Sequence, residues 1–170
     1  MEAEPTPPAA INWPPEYHPA RTPVHVRNEL HMPAAPEVVW AWLVRAPLWP
    51  AWYVNSANVQ LLDEPALDLK LGTRFSWKTF SANIVSTVKE YVPPERIAWD
   101  GKGIGLDVYH AWLLVRTANG CYVLTEETQH GALARLQNLF MPRRMHRYHQ
   151  LWLEQLAAHA ATGLPPADMR

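Results

Sequence analysis

From Val24 to Met32 the chain alternates: Val24, Val26, Leu30 and Met32 fall on one side, and His25, Arg27, Glu29 and His31 on the other. A period of two marks a half-buried strand. Pro36-Glu37 then opens a helix, with proline where its missing N–H costs nothing and an acid at the positive end of the dipole. Val39, Trp40, Trp42 and Leu43 fill that helix, and Pro47 and Pro50 leave room only for a short second one around Trp49 to Tyr53. Six further strands are expected at Val59–Leu62, Arg74–Thr79, Ala82–Tyr91, Arg96–Asp100, Val108–Arg116 and Cys121–Gln129. Turn signals separate them, among them Gly72, Pro93-Pro94 and Asn119-Gly120, and short turns imply antiparallel neighbours. After Gly131 the period lengthens: Leu133, Leu136, Phe140, Met145, Tyr148, Trp152 and Leu156 recur at helical steps, to about Ala161. Pro142 is expected to kink or split this helix after Met141.

The 170 residues suit one domain with a real core. Residues 24–162 carry the patterned elements. Residues 1–23, with seven prolines in the stretch Pro5 to Pro23, read as an extension, flexible at its start, that Trp13 and Tyr17 can dock onto the domain. Residues 163–170 form a tail after Gly163. Fifteen Lys and Arg against sixteen Asp and Glu leave a net charge of −1, which speaks against nucleic acid and against an electrostatic membrane anchor. No apolar run reaches the roughly 20 residues of a membrane helix. Glu2 and Glu4 argue against a secretory signal, so a cytoplasmic location is expected. Cys121 stands alone, which excludes an internal disulfide and a cysteine-rich zinc site. Nine tryptophans are the most pronounced bias.

An antiparallel sheet and one long helix bury their apolar faces against each other, and a sheet that curls round the helix leaves a cavity. At this point several segments resemble a known family. Met32-Pro33-Ala34-Ala35-Pro36-Glu37-Val38-Val39-Trp40 is similar to the opening signature of the polyketide cyclase/dehydrase-like branch of the SRPBCC superfamily. Leu48-Trp49-Pro50-Ala51-Trp52, Gly72-Thr73-Arg74-Phe75-Ser76-Trp77 and Val88-Lys89-Glu90 through Arg96-Ile97-Ala98-Trp99 resemble its following elements. His110-Ala111-Trp112 and Val123-Leu124-Thr125-Glu126-Glu127 with Gly131 resemble its last hairpin. Gln129 and His130 depart from it, standing where an aromatic is common. The resemblance implies an α+β helix-grip fold of the START and birch-pollen-allergen type. That is a seven-stranded antiparallel curved sheet wrapped around a long C-terminal helix, with two short helices between the first two strands. It does not settle function, because the fold hosts carriers, cyclases and interaction modules.

Following side-chain parity across the hairpins puts Ile84, Ser86, Val88 and Glu90 inside, then Ile97 and Trp99, His110, Trp112 and Leu114, and Val123, Thr125 and Glu127, joined by Phe75 and Trp77. A one-residue slip would select Tyr109, Leu113, Tyr122, Leu124 and Glu126 instead. The ligand-facing set expected from the first parity is Phe75, Trp77, Ser86, Val88, Trp99, Trp112, Leu114 and Thr125, with Met141, Met145 and Trp152 from the helix as a lid. The leading reading is a module that binds, sequesters or transports a small hydrophobic or aromatic molecule. An alternative is a cyclase or dehydrase in which His110 and Glu127 form an acid/base pair and Tyr148 polarises a carbonyl. A third is a protein-interaction role of the chaperone-activator or ribosome-associated kind.

Structural roles compete with each of these. A hydrogen-bonded strand pair accounts equally well for His110 and Glu127. His146 and His149, three apart on a helix, lack the context of a metal motif and read as solvated. Arg143, Arg144 and Arg147 read as a solvated basic face. No metal site and no cofactor are expected. Neither nucleic acid nor stable membrane insertion is expected, whereas Val24–Met32 and the extension are available to a homodimer.

Overall fold

The computed structural model describes residues 10–63 and 65–167. The expected flexibility at the start of the chain therefore lies outside the described residues. Strand β1 (Val24–Met32) leads into helices α1 (Pro36–Val44) and α2 (Trp49–Trp52). There follow β2 (Ala57–Leu61), β3 (Arg74–Thr79), β4 (Ala82–Val92), β5 (Arg96–Gly103), β6 (Leu106–Thr117) and β7 (Gly120–His130). Helices α3 (Ala132–Phe140) and α4 (Arg144–Ala160) close the fold, broken at Met141-Pro142-Arg143 where the proline forbids continuation. The sheet is antiparallel throughout, in the order β1-β7-β6-β5-β4-β3-β2. It curves over α4 in a helix grip. No described helix is long and apolar enough to cross a membrane.

Parity is as expected over most of the inner face. Phe75, Ile84, Val88, Ile97, Trp99, Trp112, Leu114 and Val123 join one buried cluster with α1, α2 and α4. One reading fails. The β4–β5 register shifts between Val88 and Glu90, so that Val88 pairs with Trp99 but Glu90 with Ala98 and Tyr91 with Ile97. Lys89 is the extra residue of a bulge. Past it Glu90 turns outward and accepts from Asn12 Nδ2 at 2.6 Å, while Tyr91 turns in and packs on Trp40.

The outer face of the sheet is covered as well. Ile11 and Tyr17 of the extension bury against Ala98, Tyr109, Leu113 and Leu124, with Trp13 partly covered beside them. The rings of Tyr17 and Tyr109 stack at 5.2 Å, and Tyr17 Oη donates to Asp107 at 2.6 Å. The set Tyr109, Leu113 and Leu124 is thus buried too, but on the side away from α4.

Helix α3 covers less than its pattern promises. Ala134 is its one buried residue, whereas Leu136, Leu139 and Phe140 are 52%, 73% and 71% exposed. Helix α4 is firmly seated, burying His149, Trp152, Leu153, Leu156 and Ala160 along one stripe.

Candidate functional site

The space between sheet and helix is nearly filled. Trp49, Trp99, Trp112, Trp152, Tyr53 and Phe75 are all at most 1% exposed. Trp152 lies at the centre of the group: it stacks on Tyr53 at 4.4 Å and meets the edges of Trp49 and Trp112 at 5.1 Å. Trp49 Nε1 donates to Leu43 O at 3.0 Å and Trp77 Nε1 to Ser86 Oγ at 3.1 Å. The indole N–H groups of Trp112 and Trp152 are buried without an acceptor.

Among the described residues a cavity of about 30 Å³ lies at the α3 end of the grip. That is the room of a single water molecule. Its walls are Trp77, Ile84, Trp99, Leu106, Val108 and Trp152, and its polar groups are Thr79, His110, Glu127, Gln129, Gln137 and His149. Phe80 also lines it. Phe80 and Ser81 form the β3–β4 turn with φ of 48° and 66°. Two consecutive left-handed residues that are neither Gly nor Asn carry strain. Asn55 Oδ1 accepts from Phe80 N at 2.9 Å and holds the turn in place. The Phe80 ring consequently reaches across to Tyr148 and His149, at 5.6 and 6.2 Å.

Three ionisable groups meet in the cavity from three elements: His110 of β6, Glu127 of β7 and His149 of α4. Cross-strand pairing sets His110 directly opposite Glu127. Glu127 Oε2 lies 3.1 Å from His110 Nδ1 and 3.3 Å from His149 Nε2. The two imidazoles stack at 4.8 Å, inclined by 19°. His110 Nε2 contacts Thr125 Oγ1 at 2.7 Å, and Gln129 Nε2 donates to Glu127 Oε1 at 2.6 Å. His149 Nδ1 is buried with no partner. Burial pulls the His110 pKa down to about 3, against the pull of the Glu127 carboxylate, so the ring is neutral at physiological pH. For Glu127 burial opposes ionisation, but His110 and the hydrogen bonds from His149 and Gln129 outweigh it and hold the carboxyl below its usual range. As a set these groups can take up or give a proton, orient a polar guest, or donate two nitrogens and an oxygen to a cation.

Of the residues expected to face a ligand, Trp77, Trp99 and Trp152 line the cavity, as do the acid/base candidates His110 and Glu127. Phe75, Val88, Trp112 and Leu114 are packed into the core, and Ser86 and Thr125 are buried as hydrogen-bond partners. Met145 is partly buried against the core. Met141 is 43% exposed at the break between α3 and α4 and does not line this cavity. Tyr148 is half-buried against Phe80 and does not line the cavity.

His149, which the sequence places in solvent, is instead 1% exposed, while His146 stays out. The helical stripe that carries Met145, Trp152 and Leu156 runs through position 149, which is four after 145 and three before 152, and this is the signal that points inward. Gln129, one of the two residues that depart from the family pattern, orients the Glu127 carboxylate. The expectation that no metal-ligating set would form also meets a different arrangement, since His110, Glu127 and His149 offer donor atoms all within 4.8 Å of one another. Their separation in sequence hides it.

A curved antiparallel sheet gripping a C-terminal helix, with a polar cluster in the space between them, defines a helix-grip protein of the kind the motifs suggested. The chain belongs to the polyketide cyclase / dehydrase and lipid transport family, whose model matches residues 23–161. Among solved structures, a hypothetical protein of Helicobacter pylori is 32% identical with a TM-score of 0.84, over 91% of this chain and 98% of that one. A Thermus thermophilus protein shares the fold at 15% identity and a TM-score of 0.69, over 82% and 98% of the two chains. The di-domain ARO/CYC StfQ of the steffimycin biosynthetic pathway also shares it, at 15% identity and a TM-score of 0.68, over 82% of this chain and 51% of that one. No curated protein matches.

Proposed function

We propose that the protein binds a small, largely apolar molecule at the α3 end of the grip, with the guest's polar group on the His110–Glu127–His149 cluster and its body against Trp99, Trp152 and α3. One observation carries this reading: three ionisable side chains, each at most 8% exposed, open onto a cavity with apolar walls. A core needs no such cluster, and ligand sites combine apolar walls with a few convergent polar groups. The volume of about 30 Å³ speaks against a preformed container for a large guest, since drug-sized ligands occupy roughly 300–1,000 Å³. Entry therefore requires α3 to move. Its single buried residue and its exposed Leu139 and Phe140 make it the element with least to lose.

The test is a titration with the uncharged fluorescent probe N-phenylnaphthylamine, read by energy transfer from tryptophan. The expected result is saturable uptake, weakened tenfold or more by Gln137→Trp, which fills the cavity from α3. Absence of uptake, or uptake indifferent to both Gln137→Trp and His110→Ala, refutes the proposal.

The 3.1 Å approach of His110 to Glu127 supports a second reading, acid/base catalysis on such a guest. Neutral His110 would act as a base toward a carbon acid beside a carbonyl. Deuterium exchange into an aryl methyl ketone, accelerated by the wild type and lost in His110→Ala, checks this directly. Equal exchange rates in the two proteins would refute it.

A further inference from the structure

The geometry points to a divalent transition-metal site formed by His110 Nδ1, Glu127 Oε2 and His149 Nε2. The inference deepens the reading of this cavity as a working site and rests on it. Protein ligands bind such ions at about 2.0–2.2 Å, which places neighbouring donor atoms roughly 2.8–3.6 Å apart across octahedral and tetrahedral geometries. Glu127 Oε2 sits 3.1 and 3.3 Å from the two imidazole nitrogens that face it. All three residues offer donor atoms within 4.8 Å of one another, and completing the triangle requires the two imidazole nitrogens to approach each other. Each ligand comes from a different, well-packed element, two strands and a helix, and the set is thereby held in advance.

Proton accounting around Thr125 supports the same arrangement. Its hydroxyl has one proton and two neighbours that can accept it, His110 Nε2 at 2.7 Å and Ala111 O at 3.3 Å. If the proton goes to Ala111, His110 donates from Nε2, and Nδ1 presents a lone pair to a carboxylate oxygen 3.1 Å away. That contact is repulsive unless a cation lies between the two atoms. With an ion in place every polar group of β6 and β7 in the cluster is satisfied: His110 Nε2–H on Thr125, Thr125 on Ala111, and Gln129 on the second oxygen of Glu127. Outer contacts of this type fix the tautomer and orientation of metal ligands. Without an ion the hydroxyl proton must turn to His110 Nε2 and abandon Ala111.

Charge balance agrees. Glu127 is buried, and among the described residues its ion-pair partners are His110 and His149, with no Lys or Arg. Two imidazoles and one carboxylate leave a divalent ion with a net charge of +1 and open positions. This ligand set suits Zn²⁺ and Fe²⁺. The adjoining cavity of about 30 Å³ admits a water-sized further ligand.

The test uses chelator-treated full-length protein titrated with ZnCl₂ by calorimetry, and with CoCl₂ by visible absorption. One ion per chain is expected, with a dissociation constant at or below micromolar. Glu127→Gln and His149→Ala should each weaken it a hundredfold or more, whereas His146→Ala, on the exposed side of α4, should leave it unchanged. Nitrogen NMR should find His110 protonated on Nε2 with Zn²⁺ and on Nδ1 without it. Glu127→Gln preserves shape, and far-UV circular dichroism confirms that each variant is folded. Binding that survives Glu127→Gln lies on surface histidines and overturns the proposal, as does the absence of binding. N-phenylnaphthylamine titration of the metal-free protein separates the two readings: uptake without Zn²⁺ binding leaves the small-molecule site standing alone.

Discussion

Replacing Trp152 by alanine tests how solid the interior is. Trp152 is 1% exposed and touches Trp49, Tyr53, Trp77, Trp99, His110 and Trp112 through ring centroids 4.4–6.4 Å apart. A buried indole removes on the order of 200 Å² from water, and at about 25 cal/mol per Å² this is worth about 5 kcal/mol. Its N–H is buried without an acceptor, so deleting the ring also relieves a penalty of roughly 1–3 kcal/mol. The net loss expected is about 3 kcal/mol, at the low end of measured Trp→Ala substitutions. For a domain of this size that lowers Tm by roughly 6–12 °C. The new void joins the existing cavity, and apolar voids of roughly 150 Å³ admit small aromatics. Indole at ten times its Kd should therefore return about 1.4 kcal/mol. Urea unfolding followed by circular dichroism gives the loss, and calorimetric Tm with and without indole gives the recovery. A loss below about 1 kcal/mol, or a folded variant indifferent to indole, would show that Trp152 does not fill the grip as described.

Other outcomes follow from single sites. Tyr17→Phe removes the bonds to Asp107 and Lys102 but keeps the ring on Tyr109, so urea unfolding should show a loss of about 1 kcal/mol, and no measurable change would mean the hydroxyl contributes nothing. Gly131 has φ of 108°, and a Cβ there would lie 2.2 Å from Gly105 O, so Gly131→Ala should cost at least about 2 kcal/mol and speed hydrogen exchange at Leu133, which bonds Gly105 O. Unaltered exchange would show that α3 does not depend on this approach. Burial pushes the Cys121 thiol up to about 11, leaving roughly one thiolate in a thousand at pH 8. Native protein should thus react with a disulfide reagent orders of magnitude more slowly than urea-unfolded protein, and equal rates would contradict its burial.

Strands β1 to β4 were legible because alternation survives in them, and β5 to β7, covered on both faces, through the turn signals that separate them. The interruption of the last helix was legible because Pro142 must either kink or split it, and the structure shows the split. Bulges were not legible. Nothing local to Val88-Lys89-Glu90 distinguishes a regular strand from one that inserts Lys89, yet this decides that Glu90 meets Asn12 on the outer face. The outer-face role of the extension was half visible, in Trp13 and Tyr17, but the partners Leu113 and Leu124 lie about a hundred residues away. The site divides in the same way. His110 and Glu127 could be paired from hairpin register alone, because each is counted from one turn. His149 comes from the helix, whose rotation against the sheet depends on packing, so its arrival 3.3 Å from Glu127 had no strand-to-strand count behind it.

Nine tryptophans were compatible with a stacking surface or with a filled core, and composition does not choose between them, because the choice turns on tens of Å³. The structure places most of that aromatic volume inside the grip, beside a small polar-lined cavity that Gln137 of α3 borders. A solid floor has a chemical consequence. It excludes water from one side of His110 and Glu127 and fixes their positions, so interactions at the open side act in a low dielectric and with little reorganisation. The space within the grip is thereby narrowed to a corner that holds the three ionisable groups. The strained Phe80–Ser81 turn and the lightly anchored α3 flank that corner, and under the function proposed above their displacement would admit a guest.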